Sequence, residues 1–180
     1  GEFVAAKGIV KIYKLQAPKM VQRKRPWSAP DYQDISENTF RTLFPHETFT
    51  NEENDEKKWK KGKLAYSTNF DTSISKEISL KNTDNWLSGK YIIILESKDP
   101  FNQEVKDEKR VTLFSSKEKE VADHKLFTIN ANKPFYTIGD EVEIQIGSAS
   151  KNMTVVVQIE KNYKIVGTQL IKLNNTTKTI

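Results

Sequence analysis

Chemistry at a protein site needs particular side-chain types brought to one place, and this sequence holds few of them. Histidine occurs twice, at His46 and His124, in segments that read as loops far apart in the chain. Neither has the convergent partners that a general base or a metal ligand needs, so both are expected at the surface. Cysteine is absent, which excludes a thiolate nucleophile, a thiolate metal site and any disulfide. Serines and carboxylates are abundant, yet no nucleophile elbow or metal-binding motif organises them into a hydrolase site. Asp99, Asp107 and Glu108 lie near one turn and raise the question of calcium, but the ligand spacing of a calcium loop is missing. No catalytic, cofactor-binding or metal-binding residue is assigned, and the chain is read as non-enzymatic.

Binding chemistry has somewhat more material. Trp27, Trp59 and Trp86 would form a stacking platform for a carbohydrate if all three were exposed; the alternative for Trp86, in "DNWLSGKY", is a lid over one end of a β-sandwich. The run "DEKKWKKGK", residues 55 to 63, is the most basic stretch and suits an acidic partner, a trypsin-like protease or, by default, a solvated loop. Asn152-Met153-Thr154 and Asn175-Thr176-Thr177 match the glycosylation sequon, a frequent chance match. The 29 basic and 24 acidic residues give a net charge of +5, but the signs are interspersed and no nucleic-acid reader motif accompanies them. The longest apolar stretch, Tyr91-Ile92-Ile93-Ile94-Leu95, is far below the ~20 residues that span a bilayer as a helix, so nucleic acid and membrane insertion are both excluded from the expected partners.

The elements around these residues are mostly strands. "GIVKIYKLQ", residues 8 to 16, is rich in β-branched and aromatic residues and reads as a strand. Pro18, Pro26 and Pro30 then make residues 17 to 34 an irregular connection. A short helix is predicted in "ISENTFRTLFP", residues 35 to 45, capped by Ser36, with Phe40, Leu43 and Phe44 on one face and Pro45 as its stop. A polar loop follows. From residue 63 the period returns to two, with Leu64 and Tyr66, and again Ile74, Lys76, Ile78 and Leu80. "GKYIIILES" has the apolar density of a central strand covered on both faces. "KDPFNQ" is a turn initiated by Asp99-Pro100 with Asn102 at positive φ, and "EVKDEKRVTLFS" returns as a strand. Together these make a β-meander with one helical insertion.

"SSKEKEVADH", residues 115 to 124, reads as a linker. Beyond it, "NKPFYTIGDEVEIQIGSA" starts a second β-unit: Gly139 supplies positive φ at the third position of a type II turn, and Val142, Ile144 and Ile146 alternate after it. "MTVVVQIEKNYKIVGTQLIKL" is a hairpin with its corner at Glu160-Lys161-Asn162-Tyr163. The fold expected is therefore all-β, an antiparallel β-sandwich of immunoglobulin or fibronectin-like type with one short helical insertion. Two domains are expected, 1–118 carrying the helical insertion near 35–45, and 119–180. The second has about 60 residues, against the ~100 of a seven-stranded sandwich; either it is cut short or its last strands complete another sheet. Gly1-Glu2-Phe3 reads as the remnant of a cloning site, so the chain is taken as an excised fragment.

The stretches "KGIVKIYKLQAP", Arg23 to Trp27 with Ala29-Pro30, "LFPHETF", Trp59, "FDT" at 70–72 and "LSGKYIIILESKDPFNQ" together resemble the macroglobulin-like β-sandwich domains of bacterial alpha-2-macroglobulins. Lys133, Tyr136, Gly139 and Asp140 in "NKPFYTIGDEVEI", followed by "TVVVQIEKNYKIV", resemble the next domain of that family. The resemblance covers most of the chain. It implies a long periplasmic or cell-surface protein of serially stacked sandwiches that inhibits proteases by conformational entrapment. The partners it implies are neighbouring domains of the same parent chain and the proteases that the parent engages. The family's Cys-x-x-Glu-Gln thioester motif has no counterpart here, so the resemblance assigns this stretch to the scaffold and implies no cofactor. The competing reading is a β-sandwich adhesin or carbohydrate-binding module using the three tryptophans.

Overall fold

A computed structural model of the chain describes residues 4–51, 53, 55–115 and 118–180. The Gly1-Glu2-Phe3 opening, and Ser116 and Lys117 of the expected linker, lie outside the described residues. The fold is all-β and sandwich-like, built from antiparallel sheets with one short α-helix. The chain separates into two compact units. One comprises the chain up to Ala17 with Lys57–Ser115, the other Pro18–Glu56 with the chain from Ser116 to Ile180.

The first unit is a four-stranded antiparallel sheet of β1 (Lys7–Leu15), β2 (Lys61–Asp71), β3 (Gly89–Lys98) and β4 (Glu104–Leu113), in the order β2-β1-β3-β4. The meander order expected from the sequence is replaced by one in which β1 sits between β2 and β3. Gly8 faces Phe70 on one side and Ser97 on the other. A strand with apolar residues on both faces loses least by taking an interior place, where both of its edges are hydrogen-bonded. Val10, Ile12 and Tyr91 form the core of one face and Leu15, Ile92 and Ile94 that of the other. Ile12, Ile92 and Ile94 are fully buried, each such side chain contributing roughly 1.5–3 kcal/mol.

The alternation at Ile74, Lys76, Ile78 and Leu80 does not become a strand. β2 ends at Asp71, whose carbonyl accepts the amides of both Ile74 and Ser75 (3.1 Å each), and Ile74 is 84% exposed. Both edges of β1 are already occupied, so the period-two pattern has no interior position to enter. The turn between β3 and β4 follows expectation. Asn102 has φ 64, and Asp99 Oδ1 accepts the amides of Phe101 (2.9 Å) and Gln103 (2.8 Å).

In the second unit, β5 (Thr128–Ala131), β6 (Ile144–Ser148) and β9 (Thr176–Thr179) form one sheet in the order β5-β6-β9, while β7 (Met153–Lys161) and β8 (Lys164–Leu173) form a two-stranded sheet. Ile146 on the first sheet meets Ile171 and Leu173 on the second, with Met153, Val155 and Val157 packed around them. This is the face-to-face packing of a sandwich. Gly139 has φ 96 and Asp140 N–H donates to Thr137 O at 3.1 Å, the expected type II turn. The β7–β8 corner lies one residue later than expected: Asn162 (φ 50) and Tyr163 (φ 61) are its two central residues, the sign pattern of a type I′ turn.

Residues 118–124 are not a free linker. Thr177 donates its amide to Lys119 O (2.8 Å) and its hydroxyl to Glu118 O (3.0 Å), and Val121 is buried over Gly147. The proline-rich stretch makes no regular element, as expected, but it belongs with the second unit rather than the first. Gln22 bridges to Lys125, Arg23 to Glu47, and Lys125 pairs with Glu56 at 3.1 Å. The helix α1 (Glu37–Leu43) follows it within residues 18–56, with Ser36 Oγ accepting from Thr39 N–H at 3.3 Å. Phe40 packs on Phe44 and Phe49 (ring centroids 5.1 and 5.3 Å), while Leu43 and Phe44 stay exposed. Glu53 ties the stretch together by accepting from Phe49 N–H (2.8 Å), Gln22 (3.2 Å) and Arg41.

Truncation after residue 118 removes Lys125, which pairs with Gln22 and Glu56, together with the sheets of the second unit, and leaves all four strands of the first sheet. The expected product keeps its sheet, with native protection of the β1 and β3 amides in hydrogen exchange, while the amides of Arg23 and Phe49 lose theirs. Loss of protection in β1 and β3 as well would show that the two units share one core.

Candidate functional site

The residues singled out by type do not converge. His46 is exposed with Nδ1 3.2 Å from Val21 O, and His124 is exposed at φ 49. Asp99 is occupied by its own turn. Asp107 and Glu108 are adjacent on β4, opposite Leu95 and Ile94, so the pleat sends them to opposite faces. Asn152 (φ 56) and Asn175 (φ 50) sit exposed in turns. No group of His, Asp or Glu able to hold a metal ion occurs among the described residues.

The tryptophans also go separate ways. Trp86 stacks on Tyr91 (5.6 Å, 26° between planes) and approaches Tyr66 (6.3 Å), covering the Val10–Ile12 face as a lid. Trp59 packs on Leu15, Ile92 and Ile94. Tyr91 and Ile92 are successive residues, so these two indoles cover opposite faces of the sheet. The buried Trp59 N–H has no acceptor among the described residues. Trp27, in the second unit, is 72% exposed.

The feature that type alone did not reveal is a groove of about 660 Å³ at one end of the first sheet, lined by Lys7, Asn69, Glu96, Lys98, Glu104 and Lys106, with Gly8, Ser97 and Val105 between them. The register explains the lining. Asn69, Ile9, Glu96 and Lys106 form one row across the four strands; Asp71 lies opposite Lys7, and Lys98 opposite Glu104. The groove is therefore a lattice of alternating charges on one face. Lys7 pairs with Asp71 (2.9 Å), Lys11 with Glu96 (2.7 Å) and Lys106 with Glu108 (2.5 Å). Lys98 Nζ donates to Asn102 Oδ1 at 3.0 Å.

These pairs set the protonation states. The Ser73 hydroxyl, then Lys7 and the Ser73 amide, hold the Asp71 carboxyl at about 2, below its ordinary 3.8. The hydrogen bond to Lys11 lowers Glu96, and that to Lys106 lowers Glu108; the partner lysines are raised by the same bonds. Carboxylates lowered in this way favour the ionised form. In the second unit the Thr137 amide likewise lowers Asp140 in its turn. The signal for the lattice was legible in "EVKDEKR" on β4, but its partners on β1, β2 and β3 required the register.

No family model, no curated protein and no solved structure matches this chain.

Two outcomes are expected. For Asp71, a folded-state value of about 2 against 3.8 makes its contribution complete above about pH 4 and lost as pH falls toward 2. Thermal unfolding of the whole chain across that range should show stability declining, and Asp71→Asn should flatten the decline. The raised Lys11 and Lys106 act in the opposite window, their contribution being lost as pH rises above 10.5. Second, a Cβ on Gly8 would press against the Glu96 carbonyl oxygen and against Cε1 and Cζ of the Phe70 ring, the two ring atoms at 2.8 and 2.9 Å. Because the carbonyl is backbone and cannot swing away, Gly8→Ala should cost roughly 1–3 kcal/mol in denaturant unfolding.

Proposed function

We propose that this chain is a non-catalytic scaffold portion of a large protease-trapping protein of the alpha-2-macroglobulin type, located in the periplasm or at the cell surface. In this reading its partners are the neighbouring domains of the parent and, through the parent, the trapped protease. The observation that carries the reading is how the polar groups are used. The carboxylates with lowered pKa are engaged by lysines of the neighbouring strand or, for Glu108, of its own strand, and by hydroxyl and amide groups of turns, and two of the three tryptophans cover core faces. Such a surface supports shape rather than turnover. The order of sandwich-type motifs along the chain adds the family resemblance, which by itself is an argument from analogy.

A second reading, a binding module, draws on one observation: Trp27 and Tyr32 are both exposed in the segment that joins the second unit. A stacking site there would rest on these two rings, without Trp59 or Trp86.

The test uses the full-length parent treated with proteases of different specificity. Entrapment predicts a change in native-gel mobility after cleavage, with the protease still hydrolysing small peptides but losing access to large protein substrates. Unchanged mobility and undiminished hydrolysis of large substrates would sink the scaffold reading. Quenching of tryptophan fluorescence by oligosaccharides, abolished by Trp27→Ala, would establish the binding module instead.

A further inference from the structure

The β7–β8 hairpin outruns the sheet it packs on. Its strands have nine and ten residues, while β5, β6 and β9 have four, five and four. Its outer face presents the cross-strand pair Val156 and Leu170, 56% and 68% exposed, and Ile159 beyond the core contact is 62% exposed. Among the described residues β7 pairs with β8 alone, so every second amide and carbonyl along its other edge points outward.

Open edges are ordinarily guarded. β4, one edge of the first sheet, carries charge at Glu104, Lys106, Asp107, Glu108, Lys109 and Arg110, and β2, the other edge, is broken by register shifts against β1 and charged at Lys61, Lys63 and Asp71 near its ends, as expected for strands that must refuse partners. β5 and β9 are short. β7 has neither protection: Met153-Thr154-Val155-Val156-Val157-Gln158-Ile159 contains no charge, no proline and no glycine, the composition of a strand that accepts another.

The residues of β7 also match their own reverse. In antiparallel pairing about a two-fold centred on Val157, Val155 faces Ile159 of the second copy, Val156 faces Gln158, Thr154 faces Glu160 and Met153 faces Lys161. No like charges oppose, inward residues meet inward residues, and the β-branched pairs Val157–Val157 and Val155–Ile159 fill the inward side of the centre. Moving the centre to Val156 sets Lys151 against Lys161. On β8 the register centred on Thr168 sets Lys164 against Lys172, and Gly167 weakens that strand.

We propose that β7 is a self-association edge: two copies of the chain pair antiparallel along β7 about Val157, joining their hairpins into one four-stranded sheet. Val156 and Gln158 point to the exposed face, so they can be changed without disturbing the core.

Light scattering on the whole chain across a concentration series should show a monomer–dimer equilibrium. Val156→Lys with Gln158→Lys places lysine against lysine twice and should weaken the dimer by at least about tenfold. Val156→Lys with Gln158→Glu places lysine against glutamate in the same register and should keep the dimer. Circular dichroism checks that both variants retain the fold. In the cysteine-free chain, Val157→Cys should give a single intermolecular disulfide on oxidation. A monomer at every concentration, a dimer indifferent to the double-lysine change, or equal weakening by both variants overturns the proposal. For a variant that fails to fold, hydrogen exchange on the unaltered chain decides. Protection of β7 amides that rises with concentration supports the pairing, and protection independent of concentration overturns it.

Discussion

A strand buried on both faces must have hydrogen bonds along both edges, because an unpaired amide removed from water costs as much as a lost hydrogen bond. Among the described residues β1, β3 and β6 are under that constraint; β3 meets it with β1 and its hairpin neighbour β4, while β1 and β6 recruit partners from far along the chain. β1 takes β2 on one side and β3 on the other. β6 takes β5 and, from the far end of the sequence, β9. The rest of the architecture accommodates these choices. The chain between β1 and β2 has no place in the first sheet, so its prolines, helix and Glu53 hub are organised with the second unit. The alternating residues after Asp71 find no interior edge and remain exposed.

The same pairing decides where charge goes. Register aligns lysines of β1, β3 and β4 with carboxylates one strand away, and the apolar half of that face is closed by Trp59. Exposed pairs of this kind contribute little each, about 0–1 kcal/mol. As a lattice they hold several ionised groups in fixed protonation states over an open groove. The turns use carboxylates in the same way: Asp99, Asp71 and Asp140 each accept main-chain amides. The engaged acids of this surface thus face lysines or turn amides.

Much of this was legible one segment at a time. The strand at 8–16, the dense central strand at 89–97, the Ser36 cap, positive φ at Asn102 and Gly139, and the hairpin after Met153 all follow from local residue choice. Asn and Gly tolerate left-handed backbone, and β-branched residues favour extended chain. Reading failed where a local pattern needed a distant partner. Ile74 to Leu80 alternate as well as any strand here, yet alternation says only which face is apolar, not that an edge is free. The linker at 115–124 looked polar and loose, but Thr177, more than fifty positions on, pins its end, and Val121 is buried over Gly147 of β6.

The sequence by itself determined most element types, the positive-φ turn residues Asn102 and Gly139, the all-β character and the absence of cysteine chemistry, because each depends on the conformational preferences and functional groups of neighbouring residues. Strand order, the assignment of residues 18–56 to the second unit, the opposite-face placement of Trp59 and Trp86, and the charge lattice were decided only by tertiary structure. Each of these depends on which backbone edges meet and in what register, and a one-residue slip in register would send every side chain to the other face.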